Sequence, residues 1–307
     1  MKEPEKAQKI LDALDALKNR MTEASALRNA ISSRFDSELR KLKEEKEREK
    51  EPGMEDIPRS VHHMIYHDLR TGHAKTYGAK RLFLDDQIRS AHIHKNRHYQ
   101  WVLAEAYEGF EDFLENLYAG MGYVDYDFWP VSDYKNTHRS DLPTKDFDWF
   151  LSQVAIKKSK PNSILACFRN KFDELRKIET KNKLDCHVGF NLCLISKLRH
   201  LIVHNSGVVK NKEKVIERIF KDCGINDRDK PALSLKANKF FSKLKSSEET
   251  HVFLLGHTDP TYGIFSTFNL SDLLSLMMSY AQILAELSLK HLYNNDLLKL
   301  RETQEQT

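Results

Sequence analysis

The stretch KLDCHVGFNLCLISKLRHLIVHNSG, residues 183–207, decides the fold class. Leu184, Val188, Phe190, Leu192, Leu194, Ile195, Leu198, Leu201 and Ile202 make residues 183–204 an apolar helix, and Asn205-Ser206-Gly207 supplies the chemistry that stops one. A helix this apolar must be covered by other elements. The flanking sequence is helix-forming too. Residues 98–120 carry Trp101, Val102, Tyr107, Phe110, Phe113, Leu114 and Leu117 at three- and four-residue intervals, and Gly120 and Gly122 close that run. Residues 164–178 read as a basic amphipathic helix after Pro161-Asn162-Ser163. Residues 211–220 and 234–244 read as shorter helices, and residues 271–300 as a long closing one. With 11 Gly and 8 Pro in 307 residues, the chain is poor in the turns that an all-β architecture needs. The expected class is all-α, a helical bundle.

Two additions to the bundle are expected. Residues 4–50 read as one long helix, with Ile10, Leu14, Leu17, Met21, Ala24, Ile31, Phe35 and Leu42 in a 3-4 alternation that Arg28 and Glu38 interrupt; Pro52-Gly53 stops it. This pattern suits a short coiled coil through which the chain self-associates, or docking on the chain's own helical body. Residues 251–255 and 262–268, around His257-Thr258-Asp259-Pro260, read as a small β-hairpin insertion. Residues 123–145, rich in aromatic side chains and Asp, read as a loop that packs by its rings. The expected division is a docking helix at 1–52, a His-rich helical connector at 53–97 and a helical domain at 98–307.

Composition excludes several classes. The chain is 40% hydrophobic and 31% charged, which rules out a wholly disordered protein. No stretch approaches the roughly 18 apolar residues of a membrane span, and residues 1–8 lack the apolar core of a leader, so a cytoplasmic protein without a membrane partner is expected. Cys167, Cys186, Cys193 and Cys223 show no metal-ligand spacing and read as reduced, mostly buried thiols. Charge is uneven: residues 101–156 hold eleven Asp/Glu against three Lys/Arg, whereas residues 157–247 hold 22 Lys/Arg against nine Asp/Glu. The basic half suits either phosphate or a solvated helix surface.

Histidine placement raises metal binding and then argues against it. His63 with His67, and His94 with His98, stand at i,i+4 without a nearby third ligand. His200 and His204 share that spacing, but a zinc hydrolase of this pattern needs Glu after the first His, and Leu201 stands there. No cofactor is expected. Arg199 and His204, five residues apart and thus about 140° around a helix, can instead flank a site near the helix end. An arginine grips phosphate with two parallel hydrogen bonds, and a histidine moves a proton near neutral pH. The competing structural reading pairs Arg199 with a carboxylate of the 101–117 helix and sets His204 against the helix dipole.

At Arg199-His200-Leu201-Ile202-Val203-His204 the sequence resembles the HEPN superfamily, whose signature is Arg, a polar residue, a few apolar residues and His, late in an apolar helix. The resemblance spans 98–300, and the 101–117 helix looks like the one that carries a Glu in many members, here Glu111 or Glu108. It implies a metal-independent endoribonuclease, a toxin or antiviral defence effector, whose two copies form a composite cleft as a homodimer, restrained by an antitoxin or other regulatory partner. Arg199 and His204 would be catalytic, with His200, Asn205 and Glu111 in support. RNA would be cut by 2′-hydroxyl attack, leaving a 2′,3′-cyclic phosphate. The alternative is a non-catalytic HEPN-like module that binds RNA or nucleotide, or scaffolds a partner through its helical dimer.

Overall fold

Glu3–Arg48 forms a single helix, α1, in the computed structural model, which describes residues 3–48, 58–243, 249–258, 266–267 and 269–298. The seam Ile10, Leu14, Leu17, Met21, Ala24, Ile31 and Phe35 is buried. Its cover comes from the same chain: α1 lies along α2 (Leu84–Val124) and α9 (Asn269–Asn294). The alternation therefore serves docking on the helical body. The face expected to drive self-association is already occupied. Of the two residues that interrupt the pattern, Arg28 donates to the Ser271 hydroxyl on α9, and Glu38 is exposed to water. Arg20–Asp112 at 2.6 Å and Lys95–Asp36 at 2.7 Å flank the α1–α2 seam. The Pro52-Gly53 stop lies outside the described residues.

The connector expected to be helical is not one element. Ser60–His67 (β1) and Ala74–Leu82 (β2) pair antiparallel, and α2 begins two residues later. The turn explains this locally. The Asp68 carbonyl accepts the N–H groups of Thr71 and Gly72, its carboxylate accepts the Arg70 N–H, and Gly72 sits at φ +70°. Val61, Ile65, Tyr66, Thr76 and Tyr77 then favour strands on either side. Residues 84–97 belong to α2, so the expected boundary at 97/98 falls inside a helix.

The hub is α2, which touches α1, α3 (Phe147–Ala155), α6 (Val188–Asn205) and α9. Phe110, Leu114, Leu117 and Tyr118 on α2 are buried, whereas Trp101, expected on the packed face, is exposed. After α2, the aromatic segment does pack by its rings. Trp129 stacks on Tyr118 at 4.9 Å and donates its indole N–H to the Tyr118 carbonyl at 2.8 Å. The basic helix expected at 164–178 is divided into α4 (Asn162–Lys171) and α5 (Asp173–Thr180) at Phe172, whose ring is buried between Phe128 and Phe168. No Gly or Pro marks that break, so tertiary packing sets it.

Beyond α6 the chain is not purely helical. Val208–Val209 (β3), Phe241–Lys243 (β4) and Thr250–Val252 (β5) form a sheet in the order β3-β5-β4. The helices α7 (Lys212–Cys223) and α8 (Lys230–Asn238) precede β4. The first run of the expected hairpin thus pairs into this sheet. The small hairpin is instead His257–Thr258 (β6) with Ser266–Thr267 (β7), while 259–265 and the chain beyond 298 lie outside the described residues. The fold is mostly helical with small β elements. No helix of the described residues is long and apolar enough to cross a membrane.

Candidate active site

The end of α6 is fixed by an unusual set of buried amides. Ser206 and Gly207 adopt left-handed conformations, φ 53° and +75°, and the Gly207 N–H returns to the Leu201 carbonyl at 2.9 Å, closing the helix as its sequence foretold. The Gly207 carbonyl accepts from the Val252 N–H at 2.8 Å. The Val252 carbonyl in turn accepts from Asn96 and Gln100 of α2, and Asn96 also accepts from the Leu254 N–H. Both amides are buried and satisfied, so α2, β5 and the α6 terminus form one rigid junction. Asn96 and Gln100 do not stand out in the sequence. Their only legible signal is a pair of amides at i,i+4 on an otherwise packing helix.

On this junction the signature residues divide into two groups. Arg199 turns toward α2 and pairs with Glu108 at 3.1 Å; its guanidinium is three-quarters covered, and its buried Nε has no hydrogen-bond partner. Of the two carboxylates that the sequence offers, Glu108 is the direct partner. Glu111, one turn along, is held above the usual carboxylate range by burial, with Glu115 and Glu108 adding repulsion against the relief from Arg199. His200 and His204 are exposed and meet ring to ring at 4.7 Å. Burial lowers the His200 pKa below the usual histidine value, and the cations Lys197, Arg199 and Arg218 lower it further. His200 is therefore a neutral imidazole near pH 7. Asn205 is exposed beside them.

Within one chain Arg199 and His204 share no hydrogen bond. The exposed Val203 stands one helical turn from Arg199 and immediately before His204. Beside Glu108, a groove of about 460 Å³ between α1 and α2 is lined by Arg20, Glu23, Glu105 and Glu108. Three carboxylates against one guanidinium repel phosphate there. The face of α6 with its Lys197 neighbour and Arg218 of α7 is the cationic side.

Among the described residues no three His, Cys, Asp or Glu side chains converge as a metal site. His63 and His67 stand on a strand, not on a helical face. The four cysteines are free and half-buried, less covered than their composition suggested. Neither a protein-family model, nor a curated protein, nor a solved structure matches this chain.

Proposed function

We propose that the protein is a metal-independent endoribonuclease of the HEPN kind, acting as a growth-arresting toxin or antiviral effector. The observation that carries this reading is the exposed His200–His204 pair at the rigid end of α6, one turn from a guanidinium held only by a half-exposed carboxylate. The Glu108 carboxylate is open to water, so a phosphate can take its place on Arg199 while Glu108 returns to solvent. His204 takes the proton of the 2′-hydroxyl, the 2′-oxygen attacks phosphorus, and the bond to the 5′-oxygen breaks as that oxygen takes a proton from a protonated His204 or from water. Arg199 stabilises the charge that grows on the non-bridging oxygens. The products are a 2′,3′-cyclic phosphate and a 5′-hydroxyl.

Because Arg199 faces α2 and His204 faces outward, one chain does not bring both to a single linkage. Two copies, each presenting its α6 end, would complete the cleft as a homodimer. His200, neutral at physiological pH, would orient His204 or accept a proton, and Asn205 would donate to the bound phosphate. An antitoxin or other partner would restrain the activity.

A second reading rests on the Arg199–Glu108 pair itself, which is the pairing a structural role for Arg199 calls for. Here the chain is a non-catalytic RNA-binding or scaffold module. Incubation of the purified protein with total RNA in EDTA separates the two. The nuclease reading requires cleavage by the wild type and its loss in Arg199→Ala and His204→Ala proteins that remain folded. Intact RNA in all three samples supports the scaffold.

A further inference from the structure

The β1–β2 hairpin has no role in the site described above, and its surroundings do not account for it. Every residue of β1 except Ser60, and every residue of β2 except Leu82, is exposed. Met64, Tyr66 and Tyr77 are 61%, 45% and 54% exposed, far above what large side chains keep when they serve only packing. A two-stranded ribbon is marginal in water unless something covers it. This one has large side chains ready to be covered on both of its faces.

The register decides what kind of cover fits. Met64 is paired with Tyr77 and Tyr66 with Lys75, so these four share one face. The Tyr66 and Tyr77 rings meet edge to face at 5.6 Å, and the Tyr77 hydroxyl donates to the Met64 sulfur at 3.3 Å, which fixes the ring planes. The two-against-three irregularity opposite His62 and Met64, with Gly78 at φ +65°, brings Lys80 and His62 next along the ribbon. Residues 60–82 carry four Lys/Arg and four His against a single Asp. That carboxylate, Asp68, is already neutralised by Lys75 at 2.5 Å; Lys80, on the face of the rings, has no ion-pair partner among the described residues, and Arg81 stands opposite Val61 on the other face. Ordered rings beside an unpaired cation are what a single-stranded nucleic acid recognises: bases stack on the rings and a phosphate meets the cation. A second copy of the ribbon is a poorer cover, since two-fold pairing sets the same cations against each other.

We infer that the β1–β2 hairpin is an arm that grips single-stranded RNA, stacking bases on Tyr66 and Tyr77 and neutralising a phosphate with Lys80. The inference rests on RNA being the substrate of the α6 site, which it extends by a second point of attachment.

Fluorescence anisotropy of the full chain with a labelled 20-nucleotide 2′-O-methyl RNA, which lacks the attacking hydroxyl, measures this grip without cleavage. The Tyr66→Ala/Tyr77→Ala protein is expected to bind about tenfold or more weakly, and Tyr66→Phe/Tyr77→Phe to bind as the wild type does. Lys80→Ala is expected to flatten the dependence of log K on log salt by about 0.7, the share of one phosphate left without its cation. Wild-type affinity in both alanine proteins, or no binding by the wild type, overturns the inference. So does a wild-type dimer that dissociates in the Tyr66→Ala/Tyr77→Ala protein while RNA affinity is unchanged, which would assign the ribbon to self-association. Weakened binding in the hairpin variants of a protein that never cuts unmodified RNA keeps the arm and removes the nuclease. Cleavage with no hairpin effect does the reverse.

Discussion

Two arginine–carboxylate pairs in this chain sit in different surroundings and should behave differently. The two arginines are about equally covered, but Glu108, the partner of Arg199, is open to water. In contrast, Arg169 holds both oxygens of the buried Glu179 at 2.9 Å, and the buried Tyr280 hydroxyl donates to the same carboxylate at 2.5 Å. Urea unfolding should therefore show Glu108→Ala losing less than about 1 kcal/mol, and Glu179→Ala losing about 3 kcal/mol because it strands Arg169 together with the buried Tyr280 hydroxyl. Equal losses would mean that Arg199 is structural. Glu111 gives a pH signature. Burial raises its folded pKa above the unfolded value, so its charged form opposes folding; the penalty is full above the folded pKa, fades as pH falls from there toward the unfolded value and is gone below it. Glu111→Gln should then raise Tm at pH 7, and the difference should vanish near pH 4. At this scale the sequence makes Arg199, His200 and His204 legible by type and spacing. It leaves Glu108 and Glu111 unresolved, because residues three apart share a helix face and only packing chooses between them.

At the scale of elements, the stop of α6 is legible because Asn-Ser-Gly carries its own backbone chemistry. Gly207 adds a constraint that no local pattern reveals: a Cβ there would meet the Gln100 amide at 2.7 Å, in a left-handed conformation that side chains resist. Gly207→Ala should cost about 1–3 kcal/mol in chemical denaturation, and should loosen the junction that holds His204. Wild-type stability in that variant would show that the junction yields freely. The hairpin at 60–82 replaces the helix expected there. The i,i+4 spacing of His63 and His67 suggests one period, while Asp68 and Gly72 between β-branched and aromatic runs mark the turn that prevails. The break between α4 and α5 has no signal to find, since the Phe172 ring is placed by Phe128 from a distant segment.

Across the whole molecule, α1 is the element whose pattern is plain in the sequence and whose partner is not. Periodicity reports that a face is covered, not whether the cover is the same chain or another. Since α1 is covered by α2 and α9, Leu17, 1% exposed, should behave as a core residue. Leu17→Ala is expected to lose about 3 kcal/mol while self-association keeps its wild-type dissociation constant, whereas weakened self-association would return α1 to an interface between copies. The claim on which the functional reading depends is that Arg199 and His204 break RNA through its own 2′-hydroxyl. The most direct measurement is the chemistry of the fragment ends after incubation of RNA with the protein in EDTA. Fragments ending in 2′,3′-cyclic phosphate from the wild type, and none from Arg199→Ala or His204→Ala, are the expected result; uncut RNA, or fragments ending in 3′-hydroxyl, would contradict it.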